Sequence, residues 1–356
     1  MKILYGYPYY PSDDTYGNSE QLELAYVDRL NKEGFDITPF CLTIDPPNHC
    51  LTFGQLDRKW KHGDKKLLKL YSRIEAALEE HDVFINAAGI NLHPEFVEQL
   101  SVFKVFGCND DPENSHNLSK PAAYAYDLCL VGNIAEIETY KSWGIKNVEW
   151  SPLGLKSYIY NHDLTYEKIL SGERDIDLFM MIDKLAPWRK TKMEMIEKTF
   201  PDGHFYGRGW RRGYLHNSQQ LDFLQRTKIG LNFHNSTGPI NFRTFYLPAN
   251  GALQICDNKK HLADIYELDK EVIGFDSIEE CIDKSRYYLD HDDERRQIAA
   301  AGWRRAVTDY NEISVFNKKV DAIKKYMIQP KVYTNNKITL AYNQQNRKKF
   351  AFYSMI

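Results

Sequence analysis

The densest run of chemistry-bearing side chains in this 356-residue sequence is Phe233-His234-Asn235-Ser236-Thr237-Gly238-Pro239-Ile240-Asn241-Phe242-Arg243-Thr244-Phe245-Tyr246. A strand-like segment ends there, small residues follow, and a short helix begins. In that order Gly238 and the next backbone amides can cradle phosphate oxygens while Arg243 neutralises their charge. The alternative gives Asn241 a capping role and leaves Arg243 as a surface cation. Two further runs point the same way. Asp183-Lys184-Leu185-Ala186-Pro187-Trp188-Arg189-Lys190 is a basic loop at a helix start, where Arg189 and Lys190 can join the helix dipole in holding a diphosphate. A solvated helix start is its plain reading. Gly207-Arg208-Gly209-Trp210 offers close backbone approach and an indole to cover a ring, or simply a turn.

Several chemistries are excluded by what the sequence lacks. There is no GxGxxG after the first strand, no GxxxxGK[ST], no HExxH and no GxSxG. The six cysteines are scattered without CxxC spacing, so reduced thiols of a cytoplasmic protein are expected. Hydrophobic residues at 43% and charged residues at 27% describe a globular chain. A net charge of −3 gives no footprint for nucleic acid, and no apolar run is long enough for a bilayer span or a signal-peptide core.

The elements that must position these residues alternate. Strand patterns at 2–7, 35–41, 82–86, 103–108, 127–131 and 147–150 are interleaved with helical patterns, the first beginning near residue 18 or 19. This order predicts an open, doubly wound parallel sheet over residues 1–155. A polar stretch over 156–174 reads as a linker. The alternation restarts at 176–181 and continues through 204–206, 229–233, 252–256 and 272–275, predicting a second such domain over 175–330. Residues 331–356 form a basic, aromatic tail with no assigned place. Ligands of such sheets bind beyond the carboxyl ends of the strands, and two facing domains create a cleft.

Asn109-Asp110-Asp111-Pro112, Tyr126-Asp127, Tyr140 to Gly144 with Trp150-Ser151-Pro152-Leu153-Gly154, and Asn241-Phe242-Arg243-Thr244-Phe245 followed by Gly251-Ala252 together resemble the spore-maturation CgeB-like glycosyltransferases. The similarity runs over about residues 1–327. It implies a GT-B fold, two Rossmann-like doubly wound domains facing a central cleft. It also implies a nucleotide-diphosphate sugar held mainly by the C-terminal domain, an acceptor held mainly by the N-terminal one, and no required cofactor or catalytic metal. Related retaining enzymes carry a ribose-binding glutamate in the helix after the phosphate loop, where this sequence has Tyr246. Gly238 and Pro239 stand near the place of a second, upstream glutamate. The Asp110-Asp111 pair is similar to a metal-binding DxD signature, but its family context gives it a structural or acceptor-side role.

The expected reaction is transfer of a sugar to a hydroxyl acceptor that is a carbohydrate, a lipid-linked glycan or a protein, in surface polysaccharide or glycoconjugate synthesis. Arg189, Lys190, Arg243 and the amides near Gly238 would stabilise the leaving diphosphate, with Gly207, Arg208, Trp210, His234, Asn235, Asn241 and Tyr246 completing the donor site. Inversion of configuration needs a base, for which Asp13, Asp14, His93 and Asp110 follow first-domain strands. Local turn bonding for Asp13 and Asp14, and helix entry for His93, are the structural alternatives. Under retention the donor phosphate itself can assist. The tail residues Arg347-Lys348-Lys349 offer peripheral contact with the inner face of the membrane. Two other readings fit the same shell: a non-catalytic nucleotide- or carbohydrate-binding protein, and a nucleotide-sugar epimerase of GT-B type.

Overall fold

Val83-Phe84-Ile85-Asn86 and Leu128-Cys129-Leu130-Val131 are buried at every position, as strands are when helices cover both faces of a parallel sheet. The structure, a computed structural model, describes residues 1–8, 19–44, 50–184 and 187–328. Asp13, Asp14 and the tail 331–356 lie outside the described residues.

The first half comprises β1 (Lys2–Tyr7), α1 (Ser19–Lys32), β2 (Asp36–Cys41), α2 (Phe53–Lys61), α3 (Lys65–Leu78), β3 (Val83–Asn86), α4 (Pro94–Val97), β4 (Phe103–Cys108), β5 (Leu128–Val131), α5 (Ile137–Ser142) and β6 (Val148–Trp150). Its sheet has the order β2-β1-β3-β4-β5-β6, and every pair is parallel. The order reverses between β1 and β3, which is where such a sheet opens a crevice. The helices form where caps and periodicity agree. Asp64 accepts the Leu67 amide at the start of α3, whose Leu67, Leu70, Tyr71, Ile74 and Leu78 then repeat on one buried face. At α2, Thr52 and Gln55 form a reciprocal capping box.

The second half comprises α6 (Tyr166–Ser171), β7 (Ile176–Lys184), α7 (Pro187–Thr199), β8 (His204–Arg208), α8 (Asn217–Arg226), β9 (Thr227–Asn232), α9 (Arg243–Ala249), β10 (Leu253–Asp257), α10 (Leu262–Ile265), β11 (Ile273–Phe275), α11 (Ile278–Asp290), α12 (Asp292–Asp309) and α13 (Glu312–Met327). Its sheet, again all parallel, runs β11-β10-β9-β7-β8 and reverses between β7 and β9. Among the described residues no helix is long and apolar enough to cross a membrane.

Packing departs from the sequence boundaries at two places. The stretch 156–174, read as a polar linker, contains α6, and its Ile169 is buried in the second core. Arg174 is also buried, donating to the carbonyls of Leu224, Thr227 and Asn250 and so tying this stretch to α8, β9 and the end of α9. The second departure is α13, which falls within the range expected of the C-terminal domain. Its Phe316, Val320 and Ile323 instead share a core with Ile3, Ile85, Val105 and Leu130 of the first sheet. The i, i+4, i+7 spacing of these residues makes one apolar stripe, and the first sheet supplies the face it covers, beside α1. Replacing Phe316, which is fully buried, by Ala should destabilise the first unit by about 3–5 kcal/mol, read as a lower urea midpoint of that unit's transition.

Candidate functional site

A cavity of about 320 Å³ opens at the carboxyl ends of β9, β10 and β11. Phe233 and His234 come from the end of β9, Asp257 and Asn258 from β10, and Phe275 and Asp276 from β11, while α7 contributes Arg189 and Lys192. Arg189 is only 2% exposed, and burial, with repulsion from Arg243, pushes its guanidinium down to about 10. It remains a cation at neutral pH. Lys259 adds a third positive charge, 3.8 Å from Asp257. The cavity thus combines aromatic surface with a cluster of cations.

One buried asparagine organises the floor. The Oδ1 of Asn232 accepts from Asn241 Nδ2 at 2.9 Å and from Arg243 Nε at 3.1 Å, and its Nδ2 donates to Gln254 Oε1 at 3.0 Å and Thr244 Oγ1 at 3.2 Å. His234 is set by the same network. Its Nδ1 pairs with Asp257 Oδ1 at 2.6 Å, and its Nε2 lies 2.9 Å from the Thr244 hydroxyl. Burial lowers the His234 pKa below its ordinary 6.5 even though Asp257 opposes the shift. The ring is therefore neutral, with Nδ1–H donating to Asp257 and Nε2 accepting from Thr244. Together with Cys256 these groups bring three metal-capable atoms within 4.8 Å of one another. They suit an ion poorly, because Nδ1 is engaged by Asp257 and burial raises the Cys256 thiol well above its usual range.

The structure divides the expected donor residues. Arg189, His234 and Asn235 line the cavity. Lys190 does not; it is exposed and pairs with Glu194, while Lys192, on the face that Arg189 and Met193 share, takes the place expected of it. Arg243 is no surface cation. It donates to Asn232 Oδ1 and to the carbonyls of Met181 and Phe233, each within about 3.1 Å, and so joins the ends of β7 and β9 to α9. Asn241 accepts the Thr244 amide, the capping alternative. Tyr246 is buried in the core of the second unit and presents nothing to the cavity. The Gly207–Trp210 run is a structural turn: Gly207 has φ +135°, and a Cβ there would lie 1.6 Å from the Ile182 carbonyl oxygen. Arg208 is exposed and outside the cavity lining. Trp210 is buried against Phe205, with ring centroids 5.6 Å apart, and covers no open site.

The loop expected to cradle phosphate instead docks on the first unit. Asn133 Nδ2 donates to Ser236 Oγ at 2.8 Å, to Thr237 Oγ1 at 3.1 Å and to the Asp111 carbonyl at 3.1 Å. Thr237 in turn donates to Glu136 at 2.6 Å. A Cβ on Gly238 would lie 2.3 Å from Asn133 Oδ1, so the glycine is needed for the approach of the two units rather than for an anion.

Of the candidate bases, His93 is sealed between the rings of Phe53 and Trp60, at 5.8 and 5.2 Å with interplanar angles under 20°, and lines neither the cavity above nor that of the first unit. Asp110 sits on an exposed turn after β4. Its neighbour Asp111 is the buried member of the pair, accepting from Ser115, Ser119 and Tyr140, the last at 2.6 Å. The sequence reading missed Lys192, Asp257, Asn258, Lys259, Phe275 and Asp276. All but Lys192 stand at or just after the last two strands, so extending the strand-end rule to residues 252–256 and 272–275 points to them, while helical spacing from Arg189 points to Lys192.

Residues 185–315, less than half of the chain but containing most of this site, match the family model described as Glycosyl transferase-like. No curated protein sequence matches the chain. Among solved structures, the sucrose-phosphate synthase of Thermosynechococcus elongatus is 10% identical and superposes with a TM-score of 0.63 over 92% of this chain and 99% of its own. A glycosyltransferase from Rickettsia africae gives 12% identity and 0.60 over 92% and 99%. HepE of Anabaena, in complex with UDP and glucose, gives 12% and 0.58 over 91% and 100%. The fold is therefore that of the two-domain GT-B glycosyltransferases.

Two outcomes follow from this geometry. Arg243→Lys keeps the charge but cannot reach Asn232, Met181 and Phe233 together, and should lower unfolding stability by about 2 kcal/mol in urea titration. His234 should stay neutral by carbon-detected NMR of its ring at pH 6.5, where an exposed histidine is half protonated. Because the folded state binds fewer protons than the unfolded state below that pH, the stability supplied by neutral His234 is lost as pH falls through its lowered pKa.

Proposed function

We propose that the protein transfers a glycosyl group from a nucleoside-diphosphate sugar to a hydroxyl acceptor, the donor held by the second unit and the acceptor entering over the first. The observation that carries this reading is the 320 Å³ cavity, in which Phe233, Phe275 and Ile278 meet Arg189, Lys192 and Lys259. A nucleoside diphosphate has the same division of character, a flat apolar base joined to a polyanion. The match of residues 185–315 to a glycosyltransferase-like family supports the assignment.

In the reaction the bond between the anomeric carbon and the diphosphate oxygen breaks, and the acceptor oxygen forms the new bond while its proton leaves to a base or to the departing phosphate. Negative charge grows on the diphosphate, and fixed cations in a partly desolvated site offset it without reorganisation. Arg189, Lys192 and Lys259 do this work, in place of the expected trio of Arg189, Lys190 and Arg243. Asp257 is committed to His234, so Asp276, held by Asn258 Nδ2 at 3.0 Å, takes the ribose hydroxyl in the role that Tyr246 cannot fill. Hexosyl transfer without a catalytic metal, a carbohydrate, lipid-linked or protein acceptor of surface glycoconjugate synthesis, and the CgeB-like subtype are finer parts of the same proposal.

The test is a thermal-shift series with UDP, GDP, ADP, CMP and dTDP on the purified protein, with and without magnesium. One nucleotide should raise the melting temperature selectively, and Arg189→Gln should weaken its binding about 10- to 100-fold through loss of a charge-assisted contact. Absence of any shift would overturn the donor assignment. Incubation with the matching nucleotide sugar then separates transfer, which requires an acceptor, from epimerisation, which consumes the donor alone.

A further inference from the structure

The first unit carries a second cavity, of about 80 Å³, at its own strand-order reversal. Tyr5 and Tyr7 of β1, Ala87 after β3, and Gly107 and Asn109 at the end of β4 form its base, Lys156 and Lys319 of α13 enter from the sides, and Phe242 of the second unit closes it. The volume admits several waters or one small oxyanion.

Its charges are unevenly matched. Lys156 forms an ion pair with Glu23 and lies over the rings of Tyr7 and Tyr26, at 5.6 and 5.3 Å from their centroids. Burial works against the Lys156 charge, but Glu23 outweighs it and the ammonium is held protonated. The lining carboxylate, Glu312, is engaged elsewhere: one oxygen faces Arg29 Nε at 3.9 Å and the other the Tyr160 hydroxyl at 3.5 Å. Lys319 has no carboxylate within ion-pair distance among the described residues. Burial pushes its ammonium down to about 8, with repulsion from Lys156 adding to the shift and Glu23 opposing it. Two ammonium groups are thus kept in a half-buried cavity at the crevice of a doubly wound sheet; among the described residues Glu23, already paired with Lys156, and Glu312 are the nearby carboxylates, and neither forms an ion pair with Lys319.

We infer that this cavity is an oxyanion subsite, in which Lys319 pairs with a phosphate or carboxylate carried by the acceptor. The assignment to the acceptor rests on the transferase reading above; the anion site itself does not. A neutral sugar would leave Lys319 without a direct ion pair among the described residues, whereas an acceptor bearing one oxyanion supplies that partner and is anchored beside the cleft.

The experiment is calorimetric titration of inorganic phosphate, and separately of acetate, into the full-length Arg189→Gln protein, which lacks the buried donor-site cation. Phosphate or acetate should bind, the better of the two naming the anion class, and adding Lys319→Met should weaken that binding at least tenfold. Equal binding with and without Lys319, or no binding of either anion, would overturn the inference. If Lys319→Met does not fold, wild-type protein decides by pH. Phosphate affinity should fall several-fold between pH 7 and 9.5 as Lys319 loses its proton, since the charge on phosphate does not decrease over that range, and a flat profile would refute the site. Nucleoside diphosphates are tested on Lys319→Met in parallel. A retained thermal shift shows the donor site intact, while no nucleotide shift in wild type beside a Lys319-dependent phosphate signal removes the transferase reading and leaves the anion subsite standing.

Discussion

The side-chain amide of Asn133 holds the two units face to face. Its nitrogen lies within 3.1 Å of Ser236 Oγ, Thr237 Oγ1 and the Asp111 carbonyl, so one buried donor group reaches both sides of the junction. Each partner is itself fixed. Asp111 is held by two serines and Tyr140, and Thr237 by Glu136. Because a buried amide without partners is costly, the arrangement favours one approach of the two sheets over many. The cleft between their carboxyl edges depends on that approach, as does the position of Phe242 over the first unit's cavity.

Within the second unit the same logic operates at shorter range. Asn232 and Arg243 satisfy between them the loose ends of β7, β9 and α9, which leaves the cations of α7 and the strand ends of β10 and β11 to meet a ligand. The division is physical. A guanidinium that already donates to two carbonyls and an amide oxygen is scaffold, and Arg189, buried but turned to the cavity, is the group placed to answer an anion. The first unit collects tyrosines and two lysines around the reversal point of its sheet.

Much of the fold was legible because parallel strands buried on both faces appear as uninterrupted apolar runs, and those at 82–86, 103–108, 127–131 and 252–256 mark β3, β4, β5 and β10 to within a residue or two. The helices α2 and α6 were not legible. The Thr52 cap preceding α2 sits in a polar context, and α6 lies in a stretch whose buried core residues are Tyr160 and Ile169. The site was half legible. Arg189, His234 and Asn235 follow directly from position after a strand or at a helix start. Arg243, Gly238 and Trp210 did not reveal their roles, because a sequence shows that a side chain can bind phosphate but not that a carbonyl, an asparagine or a neighbouring ring has already claimed it. No local pattern announces that Lys156 and Lys319, 163 positions apart, meet across one small cavity.

The return of α13 to the first sheet has a consequence for how the chain is made. A two-domain protein read from its N-terminus usually closes its first core while the second is still being synthesised. Here Phe316, Val320 and Ile323 belong to the core built on Ile3, Ile85 and Leu130. Part of one face of the first sheet, beside α1, therefore stays uncovered on the ribosome until residues 312–327 have emerged, so the first unit completes its core only after the second has been synthesised.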